Sequence, residues 1–141
     1  ERVVARLAAK HRTHADLLNI EECQGRFLSA LDSNDIAGMI ETNRDFHMAI
    51  SRAAKNSYFT FLHARLLDDG RRTLHLYFRS FGKEVPVSIR IGHDQIIKAL
   101  QHGDENLAEK CAHEHVLQVG NRFLEYMSTR NTLDFDLNPP G

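Results

Sequence analysis

Several features that would point to other classes of protein are scarce or missing in this sequence. Two cysteines, Cys23 and Cys111, are too few for the disulfide framework of a small secreted domain, so free thiols in a cytoplasmic protein are expected. No apolar run approaches the roughly 20 residues of a membrane span. The opening ERVVARLAAK is charged and amphipathic, unlike a signal peptide. A formal net charge of −1 argues against binding of nucleic acid by this segment itself.

Proline and glycine are also rare before the last residues, and no strand-like alternation persists, so the pattern predicts an all-α domain. Apolar residues at helical spacing indicate six helices, the fourth with a bend near Gly70. Asn19 and Glu22 resemble a capping pair for helix two, while Asp35 and Asp104 are predicted caps of helices three and six. The predicted helices cover about 2–18, 19–31, 36–54, 59–81, 87–101 and 105–129, with 82–86 as a connector.

The chain is expected to hold one domain, residues 1–130, followed by a flexible tail. The tail, NTLDFDLNPPG at 131–141, has two prolines and no helical period. The first helix begins abruptly at residue 1 without a cap, which suggests a fragment whose N-terminal part is missing.

Nine histidines are present, and three of them fall in the apolar stripes of predicted helices. In helix three, ETNRDFHMAI places Asn43 and His47 four residues apart, on the same face as Ile40 and Ile50. His93 lies in the stripe of helix five and His115 in that of helix six. The other histidines are expected to be exposed or packed without function. For His63 and His75 on helix four, the less favoured alternative is that they face the pocket.

A buried polar group without a partner costs roughly 1–3 kcal/mol, so each inward side chain needs an explanation. A single such histidine is most often a core imidazole bonded to a carbonyl. Three inward histidines and an inward amide on three helices can instead converge on one divalent ion. Imidazole and amide ligands suit zinc or nickel first, with other first-row metals as alternatives.

Four neutral ligands would leave the charge of that ion uncompensated, so an anion from solution, such as a small carboxylate, is the expected partner. Candidate groups for binding it are Arg122, Arg90 and Arg72, with Asn56 as a further contact. The ordinary alternatives are solvated surface arginines and, for Asn56, a residue at a helix end.

Two segments together resemble a known family. NRDFHMAISRAAKN is similar to D/N-x-x-F-H-x-x-I/L-x-x-A-x-x-N, the signature of the FCD domain. That domain is the effector-binding part of many GntR-type bacterial transcription regulators. GHDQIIKALQHGDENLAEKCAHEHV resembles the second signature of the family, and E-x-x-x-A-R-L-A-A its first helix. The resemblance covers about residues 1–127.

This resemblance implies an antiparallel bundle of six or seven helices, usually dimeric, with a metal bound at Asn43, His47, His93 and His115. His113 competes with His115 for the last position. The family often has Asp at position 43 and Glu at position 92, so Asn43 and Gly92 depart from the pattern. The resemblance also implies a winged helix-turn-helix DNA-binding domain ahead of this segment, which this chain lacks.

Three hypotheses therefore compete. The first is a sensor without enzymatic activity, in which a metal and a small organic acid modulate DNA binding by a homodimeric regulator. The second is a small metal-dependent enzyme built on a helical bundle, and the third is a purely structural dimerisation domain.

Overall fold

The computed structural model of the chain describes residues 1–81 and 87–131, and regular structure in this part is entirely helical. The fold class predicted from the sequence is therefore confirmed. The predicted connector at 82–86 and most of the predicted tail lie outside the described residues. Within these two ranges, seven helices follow one another: α1 (Arg2–His11), α2 (His14–Asp32), α3 (Ile36–Ala53), α4 (Ser57–Asp69), α5 (Arg71–Arg79), α6 (Val87–His102) and α7 (Glu105–Asn131).

The beginning of α2 corrects the sequence interpretation. The predicted first helix ends at His11, and α2 begins after Thr13, whose hydroxyl accepts a hydrogen bond from the Asp16 backbone N–H. The Asp16 carboxylate accepts one from the Thr13 backbone N–H in return, which completes a capping box. Asn19, the predicted cap, is exposed inside α2. The apolar periodicity continues through the break, so the pattern does not indicate that a helix ends there.

The other turns follow the sequence signals more closely. Asp35 caps α3 through the Gly38 backbone N–H, and Asp104 accepts from the Leu107 N–H at the start of α7. The predicted bend at Gly70 is a boundary between two helices. Gly103, between α6 and α7, has a φ of +69°, a conformation that strongly favours glycine.

The core consists of two hydrophobic clusters, and α3 contributes to both. One joins α1, α2, α3, α6 and α7 and includes Phe46, while the other joins α2, α3, α5 and α6 and includes Phe27. The His93 ring lies between these two phenylalanines, with centroid distances of 4.0 Å to Phe46 and 4.8 Å to Phe27. The candidate polar site therefore lies where the two clusters meet.

Helix α4 is apolar on its outer side as well as toward the bundle. His63 and Leu67 are its buried residues. The row Tyr58, Phe61 and Leu66 is 60–67% exposed, so Leu66, part of the apolar pattern of the sequence, points outward. Among the helices of the described part, none is long and apolar enough to cross a membrane.

We expect Thr13→Ala to destabilise the domain, because it removes the acceptor for the Asp16 N–H and one half of the capping box. The expected loss in the free energy of unfolding is about 1 kcal/mol. Urea denaturation followed by circular dichroism measures it. Asn19→Ala is the matched control and should leave stability unchanged or slightly increased, since alanine favours a helix interior. Equal destabilisation by both substitutions would contradict the observed start of α2.

Candidate metal centre

Three imidazoles from three helices meet in the interior. His47 on α3, His93 on α6 and His115 on α7 are all buried, and each offers one ring nitrogen within 4.8 Å of the others. Ring centroids are 4.9–5.4 Å apart for every pair. The structure thus brings together three of the four side chains that the sequence predicts as metal ligands.

The surroundings of His93 leave one of its nitrogens free for a ligand. Gln24 on α2 directs its amide nitrogen toward Asp94 Oδ1, at 3.5 Å, so its oxygen faces His93 Nδ1 at 2.8 Å. His93 Nδ1–H is therefore the donor, and Nε2 carries the lone pair. Nε2 is buried and has no hydrogen-bond partner within 1–81 and 87–131. A buried nitrogen in this state fits a metal ligand, because a cation would supply the missing interaction.

His115 approaches α6 at Gly92. A Cβ atom at position 92 would lie 2.9 Å from His115 Nδ1, so only glycine leaves room for the ring in this position. Nδ1 of His115 is also buried without a hydrogen-bond partner in the described part of the chain. The glutamate that the family often has at position 92 is replaced here by a residue that allows close contact between the two helices.

Asn43 lies one turn before His47 on α3 and is also buried. It lines the same cavity as His47 and His115. Its position is therefore compatible with the predicted fourth ligand, and its role as a ligand stays a prediction.

Two residues beside the three imidazoles were not singled out as ligands from the sequence. The Oε1 atom of Glu1 lies 3.6 Å from His47 Nδ1 and 3.4 Å from His63 Nε2. His63, on α4, is buried, which agrees with two of the predicted alternatives, that it is packed in the interior or that it faces the pocket. Phe59, His63 and Leu67 are spaced four residues apart and therefore share one helix face. This spacing is the sequence signal that His63 points toward the interior.

The protonation states of the three histidines and of Glu1 favour the binding of a cation. Burial lowers the pKa of His47 to about 4, against the opposing effect of the Glu1 charge, and burial lowers the pKa of His93 and His115 as well. Burial would raise the pKa of Glu1. The charge that His47 carries in acid, where Glu1 titrates, and the hydrogen bond from His63 outweigh burial and hold that pKa below its usual range. At neutral pH the imidazoles are neutral and the carboxylate is ionised.

A cavity of about 300 Å³ opens beside the imidazoles. Glu1, Asn43, His47 and His115 line one part of it. The remaining wall is largely apolar, with the hydroxyls of Thr73 and Tyr77 as exceptions; it includes Leu67, Leu74, Phe78, Ile89, Val116 and Val119. Burial raises the pKa of Tyr77 to about 12, so its hydroxyl is protonated and can donate a hydrogen bond.

The predicted effector-binding residues lie away from this cavity. Arg122 donates to the Ser80 carbonyl and hydroxyl and lies over the Phe81 ring. Arg90 pairs with Asp32 on the surface. Arg72 is exposed on α5, and Asn56 caps α4 through the Phe59 N–H. No arginine or lysine is found among the described residues that line the cavity.

His113, the competing ligand on α7, is half-buried and is not part of the three-histidine cluster. The choice of His115 is therefore the one that the geometry favours.

The ligand set fits a divalent metal best, because imidazole nitrogens with free lone pairs converge in a water-poor interior.

Comparisons with known proteins agree with this fold. The FCD domain family matches residues 1–118. The Glc operon transcriptional activators of two Escherichia coli strains, K12 and O6:H1, are each 30% identical over 123 residues. The match covers 82% of this chain and 47% of those relatives, so the chain spans about half their length.

Among solved structures, Escherichia coli McbR/YncC is similar in fold, with a TM-score of 0.79 and 18% sequence identity. The similarity covers 88% of this chain and 62% of that one. The match to the family extends from the first helix through the three histidines that converge in the core, and the chain belongs to the FCD domain family.

Proposed function

We propose that this chain is the ligand-sensing domain of a GntR-type transcription regulator, which binds a divalent metal and, through it, a small organic acid. The observation that carries the proposal is the convergence of three buried imidazoles, each with one ring nitrogen within 4.8 Å of the others. Two of them, His47 and His115, line a cavity of about 300 Å³. Membership of the FCD family and the similarity to the Glc operon transcriptional activators support a sensor over an enzyme.

The metal would be held by His47, His93 and His115, with Asn43 as the fourth ligand. When bound, the ion supplies a positive charge with free coordination positions, to which a carboxylate can bind. Zinc and nickel are the first candidates, since both bind imidazole nitrogen well. The protein itself fixes the ring of His93 through Gln24 and keeps all three imidazoles neutral by burying them.

The cavity favours an acid with one charged end. Polar groups that could meet a carboxylate or its metal lie together around His47 and His115, whereas the opposite wall consists mainly of aliphatic and aromatic side chains. A second carboxylate on the acid would lie against this apolar wall. Because the described residues of the wall include no lysine or arginine to pair with it, its desolvation would cost much free energy. The acid would therefore carry its apolar part toward Phe78 and Val119.

Regulation would follow from the effector binding one arrangement of the helices better than another. DNA binding is assigned to a part of the regulator outside this chain, and a homodimer is the proposed assembly. This division agrees with a net charge near zero in the sensing domain.

The metal proposal predicts that purified protein binds one divalent ion per chain and that His93→Ala weakens this binding by at least about 100-fold. The physical reason is the loss of a buried nitrogen donor whose Nε2 has no other partner. Titration of metal-free protein with Zn²⁺ and Ni²⁺ against a chromophoric chelator measures the affinity. His113→Ala, on the same α7 as His115, is the control and should bind normally. Equal affinity of both variants would contradict the assignment.

Gln24→Leu tests the orientation of His93. The substitution removes the acceptor for Nδ1–H, so the ring loses its fixed tautomer, and metal affinity should fall about 10- to 100-fold. Gln101→Leu on α6 removes only an exposed hydrogen bond to Glu21 and serves as the control. Unchanged affinity in Gln24→Leu, measured by the same titration, would show that the hydrogen bond does not serve the metal.

Calorimetry with metal-loaded protein tests the effector class. A series of straight-chain monocarboxylic acids should bind more tightly with length until the cavity is full, by about 0.8 kcal/mol per methylene. Dicarboxylic acids of equal length should bind more weakly. Chelation of the metal should abolish binding of every acid. Failure of all acids to bind in any metal state, or binding that is indifferent to chelation, would contradict the proposed function.

A further inference from the structure

A divalent cation between neutral imidazoles and an amide keeps its full charge, and this charge in a buried site is costly without an anion. Among the described residues that line the cavity, Glu1 is the only one with a carboxylate. Glu1 also lines a second, much smaller void of about 10 Å³, which has His47 and His63 as its other polar lining residues. Its carboxylate therefore belongs to the same polar region as the three imidazoles.

The position of this side chain is not explained by an ordinary role in its own helix. Glu1 is the N-cap residue of α1, yet its side chain makes no capping hydrogen bond. Its side chain is only 21% exposed, whereas the following residues Arg2 and Val3 face solvent. The carboxylate points inward, toward His47 Nδ1 at 3.6 Å.

His63 accounts for this orientation. It is 5% exposed and approaches Glu1 Oε1 with Nε2 at 3.4 Å, which makes Nε2–H the donor to the carboxylate. Its other nitrogen, Nδ1, is buried without a hydrogen-bond partner. A buried histidine on α4 whose polar contact is to Glu1 serves to hold that carboxylate beside His47.

We propose that Glu1 is the acidic partner of the bound cation and that His63 is the residue that positions it. The inference rests on the metal site proposed above and deepens it. Two further helices, α1 and α4, then contribute to a site whose imidazoles come from α3, α6 and α7. The single negative charge of Glu1 offsets part of the charge of a divalent ion and leaves a net positive charge to attract an effector carboxylate.

The test is the affinity of metal-free protein for Zn²⁺ in Glu1→Gln, measured by chelator competition. Removal of the charge with little change in shape should weaken binding at least tenfold, in line with the loss of an outer partner of a metal ligand. Glu1→Asp, which keeps the charge, should retain more affinity than Glu1→Gln. Circular dichroism confirms that each variant remains helical.

The matched control is Glu109→Gln. Glu109 is a carboxylate on α7 that pairs with Arg2 of α1, so this variant loosens the same helix contact without touching an imidazole. It should bind Zn²⁺ as the wild type does. A loss smaller than tenfold in Glu1→Gln, or an equal loss in the control, overturns the inference. A wild-type protein that binds no divalent ion would instead overturn the proposed metal site itself.

A double-mutant cycle tests the role of His63. His63→Leu should weaken Zn²⁺ binding when Glu1 is present and have no effect in the Glu1→Gln background, because His63 acts through the carboxylate. A purely structural role would reduce affinity by the same factor in both backgrounds. That additive result would remove His63 from the proposal.

Discussion

Buried imidazole nitrogens without hydrogen-bond partners are the constraint on which the arrangement of this bundle depends. His93 Nε2 and His115 Nδ1 are both removed from water, and both lack a hydrogen-bond partner among the described residues. Such groups cost free energy in an apolar interior, and replacing them with leucine would remove that cost. Their presence at the meeting point of two hydrophobic clusters is therefore best explained by a ligand.

The surrounding fold holds these nitrogens in place with rigid elements. The His93 ring is stacked on Phe46 and hydrogen-bonded to Gln24, so packing and a polar contact fix the same ring. Gly92 allows α7 to bring His115 close to α6. Side chains fixed by packing and by a second layer of hydrogen bonds are what a metal or effector site requires. The contacts that pack the core are thus the same contacts that would hold the proposed ligand site.

Much of this could be predicted from the sequence, because helix periodicity reports which residues share a face. The stripe containing Asn43 and His47 and the inward positions of His93 and His115 follow from spacing alone. The break at Thr13 could not be predicted from the periodicity, which continues unchanged through it. The contact between Glu1 and His63 was not predicted, because it depends on how α1 and α4 pack on α3, which no local pattern reports. Effector binding by Arg122, Arg90 and Arg72 stays a prediction, and none of the three is among the described residues that line the cavity.

Helix α4 separates the polar interior from the surroundings by the thickness of a single helix, about 10 Å. His63 on its inner side contacts Glu1, and Tyr58, Phe61 and Leu66 on its outer side form the exposed apolar row. A partner molecule that covered the outer row would therefore contact the same helix whose inner side carries the His63 contact to Glu1.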